Sequence, residues 1–308
     1  MRLAWIFGSS RSGSTWLLRM LADLDGVVAI DDPHLGHHLG VWRPIPLAWA
    51  IGEEEAPELT TLLELKAGEP GYFFAERYRD SWWRPLRELI EARFQAQARE
   101  LNGSSGSATF VIKEPGSHAA PLLAELFPES KLVFLLRDGR DVVDSWLDAY
   151  REGSWAIGGG AFPVAPAGRV ALIRWLSAVW AFRSRAVREA FQAREPADRA
   201  MVRYERLRTH TEECLEQVCE TLELATDRLP EIAAQHRFEQ LPRAARGPGS
   251  EARAATPGAW RENLSAKEQA AMHEVLGEAL VEFGYEPPGR GLAMGMGGRV
   301  SSRAGAGT

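Results

Sequence analysis

The string Gly8-Ser9-Ser10-Arg11-Ser12-Gly13-Ser14-Thr15 has the glycine spacing of a phosphate-binding loop, G-x-x-x-x-G-K-[ST]. Ser14 replaces the lysine of that pattern, and the cation stands inside the loop as Arg11. Backbone N–H groups and a helix dipole hold an anion at such a loop, and hydroxyls at Ser12, Ser14 and Thr15 add donors. A guanidinium at Arg11 can fork across neighbouring oxyanion oxygens. Without the lysine, the loop lacks the group that reaches the outer phosphates of a nucleoside triphosphate. Read alone, the same string is equally a glycine-serine turn that caps a helix.

A second candidate begins where the apolar run Leu132–Leu136 meets Arg137-Asp138-Gly139-Arg140-Asp141, with Ser145 further along the next helix. An arginine and a hydroxyl so placed can grip a second phosphate. The competing reading has Arg137 and Arg140 neutralising Asp138 and Asp141 at a helix start. Lys113-Glu114-Pro115 ends another apolar run; its ammonium suits a transferred oxyanion, or is a lysine snorkelling from a strand end. Candidate proton acceptors are Asp31, Asp32, His34, Glu114 and His118, the imidazoles because they titrate near neutrality. Trp42, Trp49, Trp82, Trp83, Trp146 and Trp155 either line an acceptor pocket or pack in the core.

These groups need elements to position them. Residues 2–7 are a continuous apolar run cut off by Gly8, and Trp16 to Leu21 have helical apolar spacing, so the chain opens as strand, loop, helix. Further buried strands are predicted at Val27–Ile30, Thr109–Ile112, Lys131–Leu136 and Ala200–Tyr204, with helices at about 82–101, 119–127 and 168–193. Strands alternating with helices predict an α/β fold, a P-loop-like doubly wound parallel sheet flanked by helices, and residues 209–285 a helical C-terminal part. Ligands of such sheets sit at the carboxyl ends of the strands. Residues 40–75 read as loop and short helix, and 102–107 as a Gly/Ser linker.

With 308 residues, 45% hydrophobic and 25% charged, the composition is that of a folded enzyme. A single domain is expected over 1–288, followed by a glycine-rich disordered tail at 289–308. A net charge of −6 argues against a nucleic-acid surface and makes any basic site local. Cys214 and Cys219 read as buried spectators. The apolar start is too short for a signal peptide or a membrane span, which predicts a cytoplasmic protein.

Taken together, Arg11-Ser12-Gly13-Ser14-Thr15-Trp16 and the segment Arg137 through Ser145 resemble the two signature segments of the PAPS-dependent sulfotransferases. In that family the first holds the 5′-phosphosulfate of 3′-phosphoadenosine-5′-phosphosulfate (PAPS) and the second the 3′-phosphate. Phe127-Pro128, Arg203-Tyr204-Glu205-Arg206-Leu207 and Gly258-Ala259-Trp260-Arg261 extend the resemblance along most of the chain. The resemblance implies Tyr204 near the nucleotide and Arg253 as a cap on the 3′-phosphate. Arg11 and Pro115 replace the lysine and histidine of cytosolic aryl and steroid members, as in the tyrosylprotein and carbohydrate sulfotransferases. There the base is a carboxylate, and the corresponding count falls on Asp32, with His34 next. A soluble, bacterial-type member fits best.

The implied reaction is sulfuryl transfer from PAPS to a hydroxyl or amine of a small-molecule, carbohydrate or natural-product acceptor. Arg11 and Lys113 serve the leaving oxygen and sulfonate, and the arrangement calls for no metal. Two rivals stand beside it: an NTP-dependent phosphotransferase, and a non-catalytic nucleotide-binding module. The sequence contains no readable code for the acceptor or for the oligomeric state.

Overall fold

A computed structural model describes residues 1–43, 55–102, 108–161, 166–240, 247 and 256–285. The strands are β1 (Arg2–Phe7), β2 (Val27–Asp31), β3 (Thr109–Lys113), β4 (Lys131–Leu136) and β5 (Arg199–Arg203). They form one sheet in the order β2-β3-β1-β4-β5, every neighbouring pair parallel. β1 is buried from Leu3 to Phe7, as a central strand covered on both faces must be, so its code is a continuous apolar run rather than an alternation.

Helices cover both faces, and the alternation of strand side chains assigns them. The chain runs through α1 (Ser14–Ala22), α2 (Leu35–Leu39), α3 (Leu62–Lys66), α4 (Arg79–Asn102), α5 (Ala120–Leu126) and α6 (Gly139–Ala149). It continues through α7 (Trp155–Gly158), α8 (Arg169–Gln192), α9 (Tyr204–Thr209), α10 (Thr211–Leu222) and α11 (Leu229–Gln235), and ends in α12 (Trp260–Asn263) and α13 (Ala266–Glu282). Leu3, Trp5 and Phe7 point to one core, shared with Phe94 of α4, Leu123 of α5, Val142 of α6, Trp180 of α8 and Leu276 of α13. Ala4 and Ile6 point to the other, shared with Leu17 of α1, Leu215 of α10 and Ile232 of α11. Cys214 and Cys219 are buried in this second core as free thiols.

The connections after the adjacent strands β1 and β4 therefore depart to opposite faces, α1 to one and α6 to the other. A crevice opens between them at the carboxyl ends, the place where doubly wound sheets hold ligands. The expected strands, helices and sheet type are all present. Gly103–Ser107 of the linker, the tail from 289, Trp49 and Arg253 lie outside the described residues. Among the described residues no helix is long and apolar enough to cross a membrane.

Candidate active site

The loop after β1 is shaped by two left-handed residues, Arg11 (φ 71°) and Gly13 (φ 93°). At Gly13 the requirement for glycine is doubled, because a Cβ there would come within 2.6 Å of the Tyr204 ring. Ser12 N–H donates to the Ser9 carbonyl at 3.1 Å, which folds the loop back over α1. No side chain caps α1, so its first N–H groups face the crevice, ready for an anion. The Ser12 hydroxyl is buried without a partner.

Sheet register delivers the ammonium. Lys113, the last residue of β3, lies between Ile6 of β1 and Asp31 of β2. Its Nζ donates to Thr15 Oγ1 at 2.7 Å, and pairs with Asp31 Oδ1 at 2.7 Å and Asp32 Oδ2 at 2.9 Å. Those contacts occupy all three donors of the group. The Lys113 side chain is 8% exposed, against 52% and 41% for the two aspartates, so a buried cation is tied to carboxylates that reach water.

The two phosphate-binding candidates, remote in sequence, meet. Arg137 Nη1 donates to the Arg11 carbonyl at 2.8 Å, and Arg11 Nε donates to Ser145 Oγ at 3.1 Å. The Arg137 guanidinium lies 4.3 Å from the Tyr204 ring centroid, and its Nε–H is buried without a partner. Arg11 faces the Trp155 ring at 5.2 Å. The neutralising role belongs to Arg140, which is buried and paired with Asp138 at 2.7 Å. Asp141 accepts the Gly258 N–H at 2.8 Å and Asp144 accepts from Asn263 Nδ2 at 2.9 Å. The acids of α6 thus anchor the 258–263 element.

The proton-acceptor candidates separate. Asp32 and His34 border the cavity, and both have left-handed backbones, φ 50° and 57°, strain of the kind that clusters at functional loops. That loop is clamped by Glu114, whose buried carboxylate accepts the Leu35 N–H at 2.9 Å and the Gly116 N–H at 2.6 Å. Gly36 and Gly116 approach so closely that a Cβ on Gly36 would sit 2.0 Å from the Gly116 oxygen. Burial pushes Glu114 up to about 7, against the pull of these N–H groups. His118 is buried, stacked on Trp42 at 5.5 Å and Phe182 at 6.4 Å, and burial and Arg183 push it down to about 3. It does not line the cavity. Among the described residues no group of three or more His, Cys, Asp or Glu side chains is arranged to hold a metal ion.

A continuous cavity of about 1200 Å³ joins these parts. Its lining includes Trp16, Tyr204 and Arg208, which pack together, and Trp42 and Trp175, which meet at 5.6 Å, with Tyr150. Of the tryptophans considered from sequence, Trp42, Trp146 and Trp155 line it. Trp82 and Trp83 do not, and pack in an aromatic cluster with Phe74 instead. Sequence reasoning missed Arg183 of α8, which is buried, borders the cavity and donates from Nη1 to Ser10 Oγ at 2.9 Å. A signal existed: Leu172, Leu176, Val179, Arg183 and Val187 form one buried stripe of α8, and a charge inside an apolar stripe is out of place.

Known proteins resemble this chain in family and fold. Residues 4–228 match the family model described as Sulfotransferase family, while no curated protein sequence matches the chain. Among solved structures, mouse sulfotransferase SULT7A1 complexed with PAP is similar, with a TM-score of 0.55 and 11% identity over 91% of this chain and 85% of that one. The sulfotransferase domain of the Synechococcus PCC 7002 olefin synthase gives 0.50 and 16%, over 94% and 96%. At such identities these likenesses concern the fold. The match of the family model over most of its length places the chain in the sulfotransferase family.

Proposed function

We propose that this protein transfers a sulfuryl group from PAPS to a hydroxyl or amine of a small-molecule, carbohydrate or natural-product acceptor, releasing adenosine 3′,5′-bisphosphate. The observation that carries the reading is Lys113, which joins the phosphate loop, through Thr15, to the carboxylates at the end of β2. An ammonium between an anion cradle and a candidate base serves an in-line displacement, in which positioning and electrostatics supply most of the catalysis. That the mouse relative holds PAP supports PAPS as the donor.

In this reading the loop N–H groups of residues 12–15 and the hydroxyls of Ser12, Ser14 and Thr15 cradle the 5′-phosphosulfate. Arg137, Ser145 and Tyr204 receive the 3′-phosphate and nucleotide, with Trp16 beside them and Arg253 as the cap the family resemblance implies. The acceptor oxygen attacks sulfur, Asp32 takes its proton, and the bond from sulfur to the bridging oxygen breaks. The charge left on the departing phosphate is met by Arg11 and Lys113. Because Lys113 has no spare donor before the donor substrate arrives, the sulfonate displaces one of its contacts. Release of Asp32 at that moment frees the base only when the substrate is in place. His34, next along the same strained loop, is the alternative proton acceptor.

The test is transfer of label from [35S]PAPS to a panel of hydroxylated acceptors, run beside γ-labelled Mg·ATP. Sulfated product from PAPS and none from ATP supports the reading. Phosphorylated product would instead indicate an NTP-dependent phosphotransferase, and binding without transfer to any acceptor a nucleotide-binding module.

A further inference from the structure

The proposed chemistry leaves a buried arginine of the cavity unused. Arg183 is 5% exposed, yet it lines the cavity between the phosphate loop and the aromatic wall. Its Nη1 donates to Ser10 Oγ at 2.9 Å, its Nη2 lies 3.3 Å from His37 Nε2, and its guanidinium lies 4.9 Å from the Trp42 ring centroid. Its Nε–H has no partner. None of these neighbours is an anion, and among the described residues no carboxylate lies within ion-pair distance of it. Burial draws Arg183 down to about 10, with Glu114 and Tyr150 opposing from longer range. Burial first, then the charge of Arg183, pushes His37 down to about 4, so the imidazole is neutral near pH 7 and supplies no charge.

A buried cation without a counter-ion is costly, and a ligand that brings the anion removes the cost. The phosphate loop already has Arg11 and Lys113 for the donor. The other walls around Arg183, formed by Trp42, Tyr150 and Trp175, are flat and largely apolar, suited to an organic body. We infer that Arg183 recognises a carboxylate on the sulfate acceptor, so that the preferred substrates are hydroxylated carboxylic acids. The path from Arg183 to His37 to His34, whose Nδ1 is 3.2 Å from that of His37, leads toward Asp32. The acid therefore docks at one end and the hydroxyl reaches the base at the other. This inference rests on the sulfuryl-transfer reading above.

The test uses the full chain saturated with adenosine 3′,5′-bisphosphate and calorimetric titration of hydroxy acids paired with their amides, such as 4-hydroxybenzoate with 4-hydroxybenzamide and 3-hydroxybutyrate with 3-hydroxybutyramide. At least one acid is expected to bind wild-type protein about tenfold or more tightly than its amide. Arg183→Met should bring the two within about twofold, and Arg183→Lys, which keeps the charge without the fork, should retain part of the difference. No acid preferred by wild-type protein, or a preference that survives in Arg183→Met, overturns the inference. So does a loss confined to PAPS affinity with the acid-to-amide ratio unchanged, since the oxyanion at Arg183 is then the donor's sulfonate. Failure of folded wild-type protein to bind adenosine 3′,5′-bisphosphate at all defeats the underlying reading instead. Thermal melts establish folding, and if Arg183→Met is unfolded, Arg183→Lys and the wild-type ratio decide.

Discussion

Replacement of Arg137 by alanine separates two jobs that the proposed function gives to one side chain. Arg137 holds the loop by donating to the Arg11 carbonyl at 2.8 Å, and the proposed function assigns its remaining donors, including a buried Nε–H without a partner, to the 3′-phosphate. Loss of the loop bond costs about 1 kcal/mol and weakens any ligand of the loop. Loss of charge-assisted bonds to the phosphate costs about 2–3 kcal/mol more, and only for ligands that carry a 3′-phosphate. At 1.4 kcal/mol per decade, adenosine 3′,5′-bisphosphate should weaken by about 100- to 1000-fold and 5′-AMP by about fivefold. Calorimetric titration of both ligands into wild-type protein and Arg137→Ala measures the two factors. Equal weakening of both would mean that Arg137 only supports the loop, and the assignment of the second segment to the 3′-phosphate would fall.

Lys113→Met should lower kcat by about 10²- to 10³-fold, the usual effect of removing one donor to a developing oxyanion, in an assay with an acceptor found by the PAPS screen. Its melting temperature should fall by only a few degrees, because the carboxylates it pairs with are solvent-exposed and such pairs contribute about 1 kcal/mol or less each; a folded variant within tenfold of wild-type turnover makes the lysine structural. Gly13→Ala places a Cβ at a φ of 93° and within 2.6 Å of Tyr204. The backbone alone costs about 1–2 kcal/mol, so both melting temperature and nucleotide affinity should drop, and unchanged affinity would contradict the loop geometry. His118, pushed down to about 3 when folded, stays neutral while the unfolded chain takes a proton below its ordinary value near 6.5. Its contribution is therefore present above pH 6.5 and is lost as pH falls toward 3, by about 2 kcal/mol at pH 5. His118→Phe keeps the stack without the titration, so its melting temperature relative to wild type should be higher at pH 5 than at pH 8; a difference that does not vary with pH refutes the assignment.

The local code of this chain was strong where periodicity and chemistry coincide. Apolar runs such as Leu3–Phe7 and Leu132–Leu136 can be little else than doubly covered strands, and the strings from Arg11 to Trp16 and from Arg137 to Ser145 are specific enough to indicate the family before any coordinates. Whether Arg137 and Arg140 both neutralise Asp138 and Asp141 was not legible. Both follow the same strand, and only the tertiary structure sets Arg140 against Trp260 and Asp138 and Arg137 against Tyr204 and the loop.

The sequence by itself determined the element types and the two strings, Arg11 to Trp16 and Arg137 to Ser145, that mark the family, because each depends on neighbours a few residues apart. Tertiary structure alone decided which of those groups meet. The strand order β2-β3-β1-β4-β5 puts Lys113 between the loop strand and Asp31, and the rotation of α8 turns Arg183 inward to Ser10. Both are consequences of long-range packing, in which burial of apolar faces sets the order and rotation of elements, and no local pattern in the chain encodes the distances that follow.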